Sequence, residues 1–192
     1  LQSSYAELAG SPVRHLAALG LGTIFYVRGQ YDAAESLLSQ IDSAGSYPYA
    51  RGRATWLRGM GAFAQGRFAD AQGHYDDTLA TFERMGDVEL AGGAHNLLSG
   101  LAFQLGDKVN EWRHRRAAID AMAVSRSPRF KHTTLATAAA SARQDSPEAA
   151  LAIQDKCRRG VKREGQSLQV RRDERERADN RENIADGASA QG

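Results

Sequence analysis

The side chains able to bind a metal or move a proton are dispersed along the chain. No two of the five histidines are three or four residues apart, the spacing that places two ligands on one helix face. We therefore interpret all five as surface or helix-end residues and predict neither a metal site nor a cofactor. These histidines are His15, His74, His95, His114 and His132.

Three further arrangements resemble parts of catalytic or cofactor sites but lack the geometry those sites need. Adjacent carboxylates at Asp76 and Asp77 point about 100° apart on a helix, so they cannot act on one substrate atom. The glycines of 59–61 lie within a predicted helix, whereas a dinucleotide loop follows a strand. Cys157 has basic neighbours but no identifiable base or orienting partner. We predict that the chain is not an enzyme.

A cluster of arginines follows Trp112 and concentrates positive charge. Arg113 and Arg116 are three residues apart and Arg115 is close to both, so they could form a patch for a phosphate, an acidic peptide or nucleic acid. The alternative is an exposed helix face that nearby carboxylates partly neutralise. We favour the second interpretation, and a nucleic-acid partner is disfavoured.

Composition excludes several classes of protein. The chain has 192 residues, and its single Cys excludes an intramolecular disulfide framework or a cysteine-rich zinc module. No apolar run approaches the ~18 residues that span a bilayer, so no membrane segment is predicted. The absence of a secretory signal pattern favours a cytoplasmic location. The charged segment 158–192 has few large apolar residues, and we expect it to be a disordered tail.

Three glycines indicate an internal repeat of helix pairs. Gly29, Gly66 and Gly106 are 37 and 40 residues apart, and apolar residues recur at helical spacing on both sides of the first two. Glycine readily takes the left-handed conformation that ends a helix, and a short connection makes two helices pack antiparallel. Lys108 and Glu111 break the pattern after Gly106, so the helix there is expected to be shifted or divergent.

Other start and stop signals predict further helices and no strand. Gly86 ends a helix of about 68–85, and Asp87 is placed to cap the next one. A helix is expected over 129–142, and Ser146 followed by Pro147 predicts another over 147–157. The sequence therefore predicts an all-α protein.

The repeat resembles the tetratricopeptide repeat, whose unit is a helix pair with small and aromatic residues at fixed places. The first unit matches at Leu21, Gly22, Phe25, Gly29, Tyr31, Ala34 and Leu38, and the second at Gly59, Gly66, Phe68, Ala71 and Tyr75. The resemblance implies a helix-turn-helix repeat solenoid of about three to four pairs. We assign it to 12–157, after an N-terminal segment at 1–11.

In that family the first helix of each pair lines a concave groove that receives a peptide or helix of a partner protein. The resemblance implies that the chain is a non-catalytic protein–protein interaction scaffold whose partner is another protein or peptide. The residues it places in the groove include Tyr26, Arg53, Trp56, Met60, Asn96, Gly100 and Phe103. Aromatic side chains there would supply contact area, and Arg53 and Asn96 would supply hydrogen bonds.

A further resemblance, carried by the stretch 106–118, is to repeat regions of large bacterial proteins. Some of those regions precede caspase-like CHAT protease domains, and others belong to transcriptional activators. This gives an alternative function, the sensor or docking region of an enzyme or regulator whose active domain lies outside these residues. We accordingly expect the repeats to be part of a larger protein. Anion or nucleic-acid binding through Arg113–Arg116 is a third alternative.

Overall fold

The computed structural model describes residues 13–42 and 47–155, together with residue 159. Over these ranges the chain is helical with no strand, so the predicted all-α helix-pair repeat architecture is confirmed. The predicted N-terminal segment 1–11 lies outside the described residues, as do Cys157 and, apart from residue 159, the predicted disordered tail 158–192. The helices are α1 (Val13–Val27), α2 (Tyr31–Asp42), α3 (Pro48–Ala64), α4 (Phe68–Arg84), α5 (Val88–Gln104), α6 (Lys108–Val124) and α7 (Pro128–Asp145), and residues 147–155 are also helical.

Glycine in the left-handed conformation lies at four of the junctions between the described helices. The φ angles of Gly29, Gly66, Gly86 and Gly106 are 72°, 74°, 69° and 74°, and a helix begins two residues after each of them. At Gly66 the amide donates to the Phe63 carbonyl at 3.0 Å, a helix-terminating bond that recurs at the other three turns. The helix after Gly106 is therefore divergent in sequence but begins in the same register as the others.

The helices of residues 13–126 pack in consecutive antiparallel pairs, α1 with α2, α3 with α4, and α5 with α6. Small residues allow the close approach within each pair. A Cβ at Gly22 would lie 2.7 Å from Cδ2 of Leu38, and one at Gly59 would lie 2.6 Å from Cε1 of Tyr75. In the third pair Ser99 takes this place, and its hydroxyl donates to the Glu111 carbonyl at 3.0 Å.

Two apolar clusters hold these pairs together. The first extends from α1 through α2 to the N-terminal half of α3, and its buried members are Ala18, Ala34, Leu38, Ile41, Ala50, Ala54 and Leu57. The second joins α3, α4 and α5 through Ala62, Ala71, Tyr75, Leu98 and Leu101. Because adjacent pairs share each cluster, removing one pair would expose the core of the next.

The chain forms two compact units, with the boundary after Arg126. This boundary lies within the range 12–157 that was predicted to form one repeat domain. The first unit, which ends at Arg126, contains α1 to α6. In the second, Ser127 caps α7 by accepting from the Phe130 amide at 3.2 Å, and Ser146 accepts from the Ala149 amide at 3.3 Å. The caps confirm the predicted Ser146–Pro147 helix start, and α7 is longer than the predicted 129–142. Among the described helices none has the length and apolar character needed to cross a membrane.

Candidate functional site

Three groove residues predicted on α3 lie together along one face of that helix. The indole Nε1 of Trp56 lies 3.0 Å from Sδ of Met60, one turn later. The guanidinium carbon of Arg53 lies 5.0 Å from the centre of the Trp56 ring, within the range of a cation–π contact. The indole therefore contacts two side chains of its own helix, one at its N–H and one over its ring.

The face of α5 that lies against α3 has a glycine at the place where α3 has the large indole of Trp56. A Cβ at Gly93 would lie 2.5 Å from Cη2 of Trp56, so the indole rests directly on α5 at this glycine. A Cβ at Gly100, two turns along the same stripe, would meet no atom within 4 Å. Phe103 follows on this stripe with 38% of its surface exposed, and the Lys108 ammonium lies 5.4 Å from its ring centre. We call this surface, formed by Arg53, Trp56, Met60, Gly93, Asn96, Gly100 and Phe103, the α3–α5 groove.

Two of the predicted groove residues have structural roles. Tyr26 packs on the first apolar cluster, with its ring centre 5.7 Å from that of Tyr31, and burial together with Tyr31 raises the pKa of its hydroxyl. Asn96 lies in the groove stripe of α5, but its Oδ1 accepts from Nη1 of Arg115 at 3.2 Å. Tyr26 is thus partly buried against the core of the first pair, and Asn96 links the groove to the interior of the third.

The arginine cluster does not form the three-residue patch that the sequence suggested. Arg113 and Arg116 are exposed, but Arg115 is only 3% exposed and points into the α5–α6 pair. Burial lowers its pKa, and the charge of Glu111, one turn earlier and fully buried, opposes that shift. The predicted patch is wrong in this respect, because the helix register turns Arg115 away from the side that carries Arg113 and Arg116.

A histidine pair that the sequence pattern does not indicate lies between α5 and α6. Nδ1 of His95 lies 3.0 Å from Nδ1 of His114, with the ring centres 5.2 Å apart. The interpretation of these two histidines as isolated surface residues is therefore wrong. The one available signal was their similar distance from the turn at Leu105–Gly106, since antiparallel helices bring such positions together.

Neighbouring donors fix the protons of this pair. Arg113 can only donate, and its Nη2 lies 3.2 Å from Nε2 of His114, so that nitrogen accepts. The His114 proton is then on Nδ1, which donates to Nδ1 of His95 and leaves the His95 proton on Nε2. Burial, His95 and Arg113 lower the pKa of His114 to about 4, and burial also lowers the pKa of His95. Both rings are neutral near pH 7.

Within the described part of the chain, no three His, Cys, Asp or Glu side chains converge as metal ligands would. A scan against models of protein families finds no match to the sequence. A search of curated proteins likewise finds no match.

Proposed function

We propose that residues 13–126 form a protein-interaction module of the tetratricopeptide type, which binds an extended segment of a partner protein in the α3–α5 groove. The observation that carries this proposal is the open space over Gly100, on a stripe between the Trp56 contact at Gly93 and the exposed ring of Phe103. A peptide backbone can approach a helix closely where no side chain intervenes. Aromatic residues beside such a position provide the anchors on which peptide affinity depends.

The chemistry of the groove favours a peptide over a small polar ligand. The Arg53 guanidinium lies over the Trp56 ring, and its N–H groups could donate to a peptide carbonyl or carboxylate. Met60 adapts in shape to an apolar side chain. The prediction that these repeats serve as the docking region of a larger enzyme or regulator would use the same contacts and stays a prediction.

The experiment selects peptides from a random display library against the full chain and measures their affinity for two leucine variants. Gly100→Leu fills the open groove, whereas Gly73→Leu places the same side chain on α4, where a Cβ also meets no atom within 4 Å. We expect Gly100→Leu to weaken the selected peptides at least about tenfold, or ~1.4 kcal/mol. Gly73→Leu should leave the affinity within about twofold. Both variants should keep the helical circular dichroism of the parent chain.

Two results would contradict the proposal. One is a selection that enriches no peptide family. The other is a set of peptides that bind Gly100→Leu as tightly as they bind the parent chain.

A further inference from the structure

A second cleft lies on a different face of α5 from the α3–α5 groove. It runs between the C-terminal end of α4, the N-terminal half of α5 and the last turns of α6, and its volume is about 510 Å³. Its apolar lining, here called the floor, includes Ala91, Ala117 and Ala121 together with Phe82 and Val88, and Val88 is 49% exposed. The floor is thus apolar, and the cleft has the volume to receive an aliphatic chain. We call this surface the α4–α6 cleft.

The charged residues that line the cleft are all acidic. Glu83, Asp87 and Asp120 line it, and no Lys or Arg does. One oxygen of Asp87 accepts from the Leu90 amide at 2.9 Å, which fixes this carboxylate at the start of α5. Carboxylates above an apolar floor complement a group with an aliphatic stem and a cationic head, the form of a Lys or Arg side chain.

His95 also lines the cleft, and because its ring is neutral near pH 7 it adds no positive charge there. Its Nδ1 is occupied by His114, and burial together with Arg113 disfavours its protonation, although Glu83 on α4 acts in the opposite direction. A protonated His95 would repel a bound cation. The cleft should therefore hold cations better at pH 7 than in acid.

We propose that the α4–α6 cleft docks a basic segment of a partner protein, with a Lys or Arg stem on the alanine floor and the cationic head among Glu83, Asp87 and Asp120. The occupant is inferred from charge complementarity between these carboxylates and the basic side chain. This site is independent of the proposed function of the α3–α5 groove, and the two could bind different stretches of one partner.

Titration with two synthetic peptides tests the site. The probe is acetyl-Ala-Leu-Lys-Leu-Ala-amide, and the control replaces Lys with norleucine, which keeps the stem and removes the charge. Binding is followed through the methyl resonances of Ala91 and Ala121 in the full chain. We expect the Lys peptide to shift both resonances saturably and to bind at least about fivefold more tightly than the norleucine peptide. Its affinity should fall with added salt and with acidification.

Paired variants assign the effect to the cleft. Glu83→Gln combined with Asp120→Asn should weaken the Lys peptide at least about fivefold, whereas Asp77→Asn, an exposed carboxylate elsewhere on α4, should leave it unchanged. Gly100→Leu, which blocks the groove, should also have no effect. The proposal is overturned if neither methyl shifts at millimolar peptide, if Lys and norleucine bind equally, or if the double variant binds as the parent does. Loss of binding in Gly100→Leu would likewise place the peptide in the groove and overturn it.

Discussion

The His95–His114 pair should make the first unit sensitive to mild acid. The folded protein holds His114 neutral, with a pKa of about 4 against an ordinary value of 6.5. A histidine whose pKa is lowered by folding stabilises the protein fully above the unfolded value, and this stability is lost as the pH falls from 6.5 towards 4. His95 shifts in the same direction. Stability should therefore fall between pH 7.5 and pH 5, before His114 itself is protonated in the folded state.

The magnitude follows from the pKa difference. A pH of about 5 is roughly 1.5 units below the pKa of histidine in the unfolded chain. At ~1.4 kcal/mol per unit, the loss of unfolding free energy due to His114 is therefore at most ~2 kcal/mol. Solvent reaches part of His114, which is 9% exposed, and screening reduces the expected loss to about 1–2 kcal/mol. Nearby charges act in both directions, since Arg113 opposes protonation of His114 whereas Asp76 and Asp107 favour it.

Urea unfolding followed by tryptophan fluorescence measures this loss, because Trp56 and Trp112 both lie in the first unit. We expect the urea midpoint of the parent chain to fall by about 0.5–1 M between pH 7.5 and pH 5. His114→Asn should be less stable at pH 7.5 but should lose about 1–2 kcal/mol less on acidification. His132→Asn, at an exposed position on α7, should follow the parent. If His114→Asn loses stability in parallel with the parent, the histidine pair is not the acid-sensitive element.

Three further substitutions test the packing. Gly59→Leu should destabilise the first unit by about 1–3 kcal/mol in thermal melts, because its Cβ would lie 2.6 Å from Tyr75. The control Gly73→Leu should be neutral or stabilising, since a Cβ there meets no atom within 4 Å. Equal melting temperatures of the two variants would contradict the close approach of α3 and α4. Asp87→Ala should cost about 1 kcal/mol of unfolding free energy through loss of the α5 cap, and Asp87→Asn should recover most of it; a neutral Asp87→Ala would argue against the cap. Arg115→Ala should lower the free energy of unfolding in urea by about 2–4 kcal/mol, because it removes a buried guanidinium that donates to Asn96. Arg116 is exposed, so Arg116→Ala should change the free energy of unfolding by no more than about 0.5 kcal/mol. Equal effects of the two arginine changes would show that Arg115 is not buried.

The helices were predictable because their end signals are local. Gly29, Gly66, Gly86 and Gly106 stop helices through their own backbone conformation, and Asp87 caps α5 with a side chain three residues from its donor. Neither effect depends on the rest of the molecule. The repeat pattern then predicted which helices pair, and the structure has those pairs.

The interior of the third pair was not predictable in the same way. Glu111 and Arg115 occupy places where the repeat pattern has Ala and a large apolar residue, and their charge suggested solvent exposure. They are buried because the backbone keeps the repeat register at α6, so both side chains face α5. The contact between His95 and His114 depends on the same register, which residue types alone do not reveal. Of the predicted groove, the α3 residues lie together, and Tyr26 lies apart from them, partly buried against the first apolar cluster.

The most direct test of the α3–α5 groove uses Trp56 as a reporter of occupancy. In a chain with Trp112→Phe, Trp56 is the single indole, and a peptide selected on the parent chain is titrated while its binding is followed independently through a fluorescent label on the peptide. A peptide lying against Trp56 should change the indole emission saturably, with the same midpoint as the label signal. Binding that leaves Trp56 emission unchanged, or that alters emission only in a Trp56→Phe chain retaining Trp112, would contradict binding in the groove.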